Sequence, residues 1–356
     1  MDEIKDIRRS IDEIDRKMLE LLNKRAELAL QIKKTGLGRT PIRPEREASI
    51  VHDLTVNNPG PLPDKAVREI FTQIIASFRD RLQLDRPISV SYLGPAGTYS
   101  EEAALKLFGS TVDLHAEETI LEVIRSVDAG SSNLAVVPIE NSTEGAVRET
   151  HKLLQDTNSK IVAEISLPIL HCLLTNCSSL DKIKTVYAHP QALGQCRLWI
   201  SKHLPNVKAI STTSNSAAAE LAGIHKNSAA IASQNAADIY KLKVMEIGIN
   251  DQPGNVTRFV ALGDLKTHPT GRDKTSMIIV LNDKPGALHE ALGVLAKNSI
   301  SMTRLESHPY SKGQYGFYVD FIGHIDEAPV MEAIDELRKI TRTCQILGSY
   351  PIEAGK

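Results

Sequence analysis

The sequence predicts a multidomain chain in which an all-α region, a two-lobed α/β region and an α+β region of ferredoxin-like element order follow one another. Its 356 residues exceed what one hydrophobic core usually organises. The first 35 residues contain no Pro or Gly, whereas short apolar strands alternate with helical stretches after residue 86. The last segment has the order βαββαβ, so we expect domains at residues 1–86, 87–267 and 272–356.

The composition and charge of the chain exclude several classes of protein. Hydrophobic residues at 42% and charged residues at 24% are globular values, and a net charge of −2 argues against nucleic acid or a membrane surface as the main partner. The four cysteines form no CxxC pair and no zinc-type Cys/His spacing, so we expect no metal. The amino terminus has no apolar signal core, and no run of about 18 apolar residues occurs, which predicts a cytoplasmic protein.

The first helix is expected to need a partner helix. Its apolar residues recur at alternating spacings of three and four, as in a coiled-coil seam, from Ile4 to Ile32. At about 1.5 Å per residue the helix is roughly 50 Å long, so a helix of a second copy is the expected partner and we expect a homodimer or a higher homo-oligomer. The seam is interrupted by Arg25, which is either an interhelical register device or an anion ligand. Two further helices begin near Pro44 and Asp64.

In the middle segment, polar residues follow one predicted strand, "LAVVPIE", and others precede a second predicted strand, "RFVALG". Ligands of α/β folds bind at strand ends and helix starts, where free backbone amides attract anions. By residue type alone, the "NST" of "PIENSTEG" favours a helix cap, and a Thr that opens a strand, such as Thr257, is usually structural. A lone His beside strand residues is also usually structural, so His171 and His189 receive no role.

Four motifs in a fixed order, "GPAGTYSEEAA", "VVPIENSTEGAV", "HPQALGQC" and "NVTRF", resemble the signatures of prephenate dehydratases. Nearly the whole chain resembles the bifunctional chorismate mutase and prephenate dehydratase family, whose last part is an ACT regulatory domain. The resemblance implies an enzyme of phenylalanine biosynthesis that rearranges chorismate to prephenate. It then dehydrates and decarboxylates prephenate to phenylpyruvate, with feedback inhibition by phenylalanine and no cofactor.

The resemblance gives the "TRF" motif a chemical role. Thr257 is the implied catalytic residue, because a proton donor beside the leaving ring hydroxyl would lower the barrier to loss of water. Arg258 would bind a substrate carboxylate, and its alternative role is an ion pair that holds the lobe. The implied substrate contacts are Thr98, Ser100, Glu140, Asn141, Ser142, Thr143 and Gln195.

The helical segment resembles the all-α type of chorismate mutase less completely. The implied ligands of chorismate are Arg8, supplied by the partner chain, together with Arg25, Arg46 and Glu47. The positions that depart from the family pattern are Gly36, Arg43, Phe78 and Leu82. A monofunctional dehydratase whose helical domain only dimerises is therefore an alternative.

The last segment resembles an ACT domain that binds phenylalanine. The turn Gly286, Ala287 and Leu288 offers backbone amides to an amino-acid carboxylate, and Glu306 and Ser307 are the other implied contacts. The next residue is His308, where the family usually has Arg. A two-lobed cleft joined to such a domain can also serve as a non-catalytic amino-acid sensor, which is the second alternative.

Overall fold

The computed structural model describes residues 2–34, 42–83, 87–309 and 315–353. Within them the chain forms a helical region, two α/β lobes and a four-stranded sheet covered by two helices, which confirms the predicted fold class. Gly36 lies outside the described residues, and so does the side chain of Leu82.

The amino-terminal region consists of three helices. These are α1 (Asp2–Lys34), α2 (Pro44–Val56) and α3 (Asp64–Gln83). Helix α2 begins with a Pro that needs no hydrogen-bond partner in the first turn and has acidic residues there, which complement the helix dipole. The α1 seam, by contrast, is not covered within one chain, since its apolar residues from Ile4 to Ile32 are about half or more exposed.

The first lobe is a sheet in which the order of the main strands is β2-β1-β3-β11-β5, with β4 paired to β3. Its strands are β1 (Ser89–Leu93), β2 (Asp113–Glu117), β3 (Leu134–Asn141), β4 (Gly145–Ala146), β5 (Lys160–Pro168) and β11 (Val256–Gly263), and its helices are α4 (Tyr99–Phe108), α5 (Ile120–Asp128) and α6 (Arg148–Leu153). Strand β11 returns from the second lobe and inserts antiparallel between β3 and β5. The chain therefore crosses between the lobes twice, after β5 and before β11.

The second lobe is a five-stranded sheet of order β10-β6-β9-β7-β8. Its strands are β6 (Cys172–Thr175), β7 (Thr185–Ala188), β8 (Lys208–Ser211), β9 (Ser228–Ala232) and β10 (Lys243–Ile247). Its helices are α7 (Pro190–Gln195), α8 (Arg197–His203), α9 (Asn215–Ile224) and α10 (Gln234–Ile239). Strand β9 is buried at every position, and its small residues Ala230 and Ala232 let α9 and α10 pack closely on one face of the sheet.

The carboxyl-terminal region has the predicted βαββαβ order and the sheet order β13-β14-β12-β15. Its elements are β12 (Asp273–Leu281), α11 (Ala287–Lys297), β13 (Met302–Pro309), β14 (Tyr315–Ile322), α12 (Ala328–Ile340) and β15 (Thr341–Pro351). Helices α11 and α12 cover one face of the sheet. The opposite face shares a hydrophobic core with the first lobe, in which Tyr318 and Tyr350 pack near Val137 and Val260. This four-stranded sheet of β12 to β15, called the regulatory sheet below, therefore packs against the first lobe.

Candidate active site

A cleft of about 450 Å³ lies between the two α/β lobes, at the ends of β3 and β11 and the starts of α4, α7 and α9. The structure brings five of the predicted substrate residues into its lining, namely Thr98, Ser100, Asn141, Gln195 and Thr257. Ser142 lies beside it and accepts a hydrogen bond from Val256 N at 2.9 Å, and Thr143 lines an adjoining depression that shares Gln195 with the cleft.

Thr257 has a hydrogen-bonded neighbour that the sequence did not reveal. Asn141 Nδ2 donates to Thr257 Oγ1 at 2.8 Å. The orientation of that amide is fixed, because Asn141 Oδ1 accepts from the backbone N–H groups of Thr143 at 3.0 Å and Glu144 at 3.1 Å. The Thr257 oxygen therefore acts as an acceptor towards Asn141. Its own proton has no acceptor among the described residues and is left for a ligand in the cleft.

A chain of amides extends from Asn141 across the cleft to His171. Asn141 Nδ2 also donates to Asn255 Oδ1 at 2.8 Å, so Asn255 Nδ2 is the donor towards Gln195 Oε1 at 3.4 Å. Gln195 Oε1 lies 2.8 Å from His171 Nε2, which consequently carries the proton. Burial lowers the pKa of His171 and outweighs the opposing effect of the Gln195 bond, so the imidazole is neutral.

Sequence reasoning missed Asn255 and assigned no role to His171. A signal for Asn255 was present, because it precedes Thr257 by two residues and side chains two apart on a strand share a face. His171 carried no such signal. It lies at the first crossover between the lobes and reaches Gln195 only through the tertiary fold.

The described lining of the cleft contains no Lys or Arg. It consists of polar, apolar and histidine side chains with one exposed carboxylate, Glu118. Two helices of ten residues begin at the cleft instead. Thr98 caps α4 by accepting from Glu101 N at 3.4 Å, and Ser214 caps α9 by accepting from Ala217 N at 3.0 Å. Thr98 therefore both caps α4 and lines the cleft.

The structure corrects the expectation that Arg258 binds a substrate carboxylate. Thr257 and Arg258 are consecutive on β11, so their side chains point to opposite faces of the sheet. Arg258 is buried on the face away from the cleft and donates to Glu164 Oε2 at 2.7 Å, Asp320 Oδ2 at 2.6 Å and Tyr350 Oη at 2.8 Å. The predicted alternative, an ion pair that holds the lobe, describes this arrangement.

Electrostatics keep Arg258 charged despite its burial. Desolvation by itself would lower the pKa of the guanidinium, but Tyr350, Asp320 and Glu164 outweigh it and raise that pKa. The buried cation is thus held by groups from both the first lobe and the regulatory sheet.

Glu140 is likewise corrected from a substrate contact to a contact between domains. It pairs in register with Arg258 on the face away from the cleft. Its Oε2 lies 2.8 Å from Arg304 NH1 and 3.8 Å from Arg258 NH1. A carboxylate held by two cations on the rear face of the sheet is not available to a ligand in the cleft.

In the helical region, Arg25 packs on an aromatic ring of α3. The Arg25 guanidinium lies 4.5 Å from the centre of the Phe78 ring, at the α1–α3 contact. Burial lowers the pKa of Arg25, and the charge of Glu47 opposes that shift. Arg46 is exposed, and so is Arg8. Arg8 is 17 residues before Arg25 on one helix, about 26 Å away, so it can complete this site only in a second copy.

Arg79 is a residue of this region that sequence reasoning missed. It donates through Nε to Glu47 Oε1 at 2.8 Å, forms a second short contact with Glu47 Oε2, and donates through NH1 to Phe108 O at 2.9 Å. Burial raises the pKa of Glu47, and Arg79 opposes that rise. Arg79 therefore connects the helical site to the end of α4 in the first lobe.

The residues predicted to bind phenylalanine are split between two faces of the regulatory sheet. Gly286 has a φ of +82° and begins α11, with Ala287 and Leu288 in its first turn. Ser307 pairs with Phe317, which packs on the helix-bearing face, at the same end of the sheet. Glu306 points to the other face, where it accepts from Arg304 NH2 at 2.5 Å. Ser307 and the turn thus lie on the helix-bearing face at one end of the sheet, and Glu306 lies on the opposite face.

His308 also points towards the first lobe. Its Nε2 lies 2.7 Å from Gln155 Nε2, and burial lowers its pKa with partial opposition from Glu306. His308, which stands where the family usually has Arg, therefore lies at the interface between the regulatory sheet and the first lobe.

Comparison with known proteins agrees with this division of the chain. The sequence models of chorismate mutase type II, prephenate dehydratase and the ACT domain match residues 7–83, 90–267 and 275–340. The bifunctional chorismate mutase/prephenate dehydratase of Pseudomonas aeruginosa is 40% identical over 360 residues, covering 98% of each chain. The one from Aquifex aeolicus is 38% identical over 359 residues, covering 99% of this chain and 98% of that protein.

This chain belongs to the bifunctional chorismate mutase/prephenate dehydratase family. The predicted family and enzyme class are confirmed. A prephenate dehydratase from Arthrobacter aurescens in complex with L-Phe is 32% identical, with a TM-score of 0.70 over 76% of this chain and 91% of that chain. No described helix of this family member is long and apolar enough to cross a membrane.

A second solved structure shows that the fold alone does not define the chemistry. GqqA, described as a novel type of quorum quenching acylase, is 30% identical, with a TM-score of 0.67 over 74% of this chain and 97% of that chain. Related folds can carry different activities. The reaction of this family member therefore has to be argued from the residues of its cleft.

Proposed function

We propose that the cleft between the lobes converts prephenate to phenylpyruvate and that Thr257 is the proton donor to the leaving hydroxyl. The observation that carries this proposal is the hydrogen bond from Asn141 Nδ2 to Thr257 Oγ1, which leaves the Thr257 proton for the ligand. Cleavage of the bond to the carboxylate releases CO2, and its electrons form the aromatic ring as the hydroxyl leaves. The departing oxygen takes the Thr257 proton and becomes water, and the Thr257 oxygen then regains a proton from solvent.

The acidity that a Thr hydroxyl lacks in water is supplied by its surroundings. Thr257 is buried, and Asn141 holds its oxygen at 2.8 Å by a donor that would stabilise negative charge developing on that oxygen. Because the Asn141 amide is held by two backbone N–H groups, it needs no reorganisation during the reaction.

Substrate carboxylates are proposed to bind at the starts of α4 and α9, near Thr98 and Ser214. Free backbone amides and the helix dipole favour an anion at both positions. Gln195 Oε1 is already occupied by His171 and Asn255, and Nε2 donates to Glu144 Oε1 at 3.5 Å. The second N–H of that amide is the donor that Gln195 offers to a substrate. The cleft volume of about 450 Å³ is of the size that small-molecule sites use.

The test compares Thr257→Val with Thr257→Ser in prephenate turnover. Val keeps the branched shape and removes the hydroxyl, so we expect kcat to fall by about 100-fold or more with little change in KM. Ser retains the hydroxyl and is expected to keep most of the activity. A Thr257→Val enzyme with kcat within about threefold of the parent would show that Thr257 is not the donor.

For the helical domain we propose rearrangement of chorismate in a homodimer. Arg25 binds a carboxylate beside Glu47, and Arg8 comes from the second copy, which the uncovered α1 seam supports. The reaction needs a cavity that folds the substrate and stabilises charge, without covalent chemistry. Chorismate consumption by the parent and its loss in Arg25→Gln are expected. Turnover of prephenate without turnover of chorismate would favour the alternative in which this domain only dimerises.

Feedback inhibition by phenylalanine is proposed for the carboxyl-terminal domain. Support comes from the Arthrobacter aurescens relative in complex with L-Phe and from the grouping of Ser307 with the Gly286 turn. We expect phenylalanine to raise the melting temperature and to lower prephenate turnover. An unchanged rate and melting temperature at saturating phenylalanine would exclude this regulation.

A further inference from the structure

The ends of β3 and β11 carry two cross-strand pairs that face in opposite directions. Asn141 pairs with Thr257 and faces the cleft, and the preceding step of the ladder pairs Glu140 with Arg258 on the rear face. Because consecutive residues of a strand share one rigid backbone, a displacement of the rear pair moves the front pair. A break in the register follows directly, between Arg258 and Phe259. These four residues are therefore held by their side-chain partners as well as by the ladder.

The partners of the rear pair come from the regulatory sheet. Asp320 on β14 accepts from Arg258 NH1 at 2.6 Å and from Ser276 Oγ at 2.5 Å. Arg304 on β13 places NH1 2.8 Å from Glu140 Oε2, and its guanidinium lies 5.4 Å from the centre of the Tyr318 ring. The side chains of Arg258 and Asp320 are 10% and 1% exposed, so water does not replace the contact between them easily. In the second contact, Arg304 is 11% exposed and Glu140 is 37% exposed.

We propose that Arg304 and Asp320 are positioning residues for the dehydratase reaction. They act through Glu140 and Arg258 to fix the ends of β3 and β11, and thereby the contact between Asn141 and Thr257. The inference rests on the proposed role of Thr257. Misplacement of a reacting group by about 1 Å can lower a rate 100-fold, so small shifts of these strand ends are sufficient.

The same contacts couple the cleft to an effector that is bound by the regulatory domain. Ser307 lies on the helix-bearing face of β13, while its neighbours Glu306 and His308 face the first lobe. Arg304 binds both Glu306 and Glu140. A ligand that shifts β13 along its length therefore changes the Arg304–Glu140 contact and, with it, the position of Asn141.

The experiment uses the full chain and the variants Arg304→Gln, Arg304→Lys, Glu140→Gln and the double variant Arg304→Gln with Glu140→Gln. We measure kcat and KM for prephenate with and without phenylalanine, the dissociation constant of phenylalanine by calorimetry, and the melting temperature. Arg338→Gln is the control, because it removes an arginine of the same domain from an exposed pair with Asp335.

Arg304→Gln is expected to lower kcat about tenfold while KM changes less than about twofold, since positioning of Thr257 is affected and substrate binding is not. The double variant is expected to be no slower than the slower single variant, because the two substitutions remove the same contact between Arg304 and Glu140. Arg304→Lys keeps the charge and is expected to recover part of kcat, and Arg338→Gln is expected to match the parent.

In Arg304→Gln we also expect weaker inhibition by saturating phenylalanine at a dissociation constant within about threefold of the parent value, which marks a loss of coupling rather than of binding. A kcat of Arg304→Gln within about twofold of the parent overturns the inference, as does equal loss in Arg338→Gln. A parent that does not turn over prephenate overturns the proposed function itself. A parent that phenylalanine does not inhibit overturns only the regulatory part, and kcat still decides the positioning role.

Discussion

Adjacent residues of one motif have separate roles because successive side chains of a strand point to opposite faces of the sheet. Thr257 lines the cleft and Arg258 holds the regulatory sheet, although they stand side by side in "TRF". Through the resemblance, the sequence predicted Thr257 as the proton donor and Arg258 as a ligand of a substrate carboxylate, and the residue types did not show which of them faces the substrate. Assigning a face required the register with β3, which pairs Thr257 with Asn141 and Arg258 with Glu140.

His151 provides a test of the domain interface at the scale of one residue. It stacks on Tyr318 with ring centres 4.5 Å apart, and burial, followed by the charges of Arg304, His308 and Arg258, lowers its pKa from 6.5 to about 3. The native state thus keeps His151 neutral while the unfolded state takes up a proton below pH 6.5. Its contribution to stability is complete above that pH and is lost as the pH falls towards about 3.

We therefore expect His151→Phe, which keeps an aromatic ring against Tyr318, to reduce the acid sensitivity of folding. Between about pH 6 and pH 5 the free energy of unfolding of the parent should fall more steeply than that of the variant, by about 1.4 kcal/mol per pH unit. Urea denaturation at a series of pH values measures the difference. Parallel pH profiles for the two proteins would contradict the role given to His151.

At the scale of elements, the close approach of β15 to β5 fixes the regulatory sheet on the first lobe. A Cβ atom at Gly348 would lie 2.1 Å from Ile161 O and 2.7 Å from Ile161 N, both of them backbone atoms. Only a residue without a side chain lets the two strands pack at this distance. The order βαββαβ predicted the strands themselves, but nothing in "CQILGSY" indicated that this Gly faces another domain.

Gly348→Ala is expected to destabilise the chain by about 3 kcal/mol or more, because backbone atoms cannot move aside without separating the sheets. Gly293→Ala is the matched control. Gly293 lies within α11 with nothing near its would-be Cβ, so Ala there should stabilise the helix by up to about 1 kcal/mol. Thermal or urea unfolding of both variants measures the contrast, and a neutral Gly348→Ala would show that the two strands separate easily.

At the scale of the whole molecule, α1 is a helix whose apolar seam is not covered within one chain. Its seam residues Ile11 and Ile14 are 51% and 56% exposed, whereas buried residues of the lobes and the regulatory sheet form continuous cores. The seam was predictable from its spacing, and so was its need for a partner helix. The contact of Arg25 with Phe78 was not, because it depends on how α3 returns across α1.

Ile14→Glu is expected to dissociate the proposed homodimer, because it places a charge in the apolar seam. Chorismate turnover should fall with dissociation, since Arg8 can reach Arg25 only from a second copy, and prephenate turnover should remain. Asn23→Glu is the control, because it makes the same change of charge on the opposite side of α1 at about 100° per residue. Sedimentation of both variants decides the question, and an Ile14→Glu protein that sediments like the parent would contradict this use of the seam.

The sequence by itself determined the order of the three regions, the helix that lacks a partner, and the polar residues at the ends of β3 and β11. These features are local, since they follow from the spacing of apolar residues, from capping residues and from motifs. The tertiary structure alone decided which of the polar residues meet. It turned Thr257 and Asn141 to the cleft, turned Arg258 and Glu140 to the regulatory sheet, and joined His171 to Gln195. The physical reason is that these contacts link residues far apart in the chain, so their geometry depends on strand register and on the packing of one domain against another.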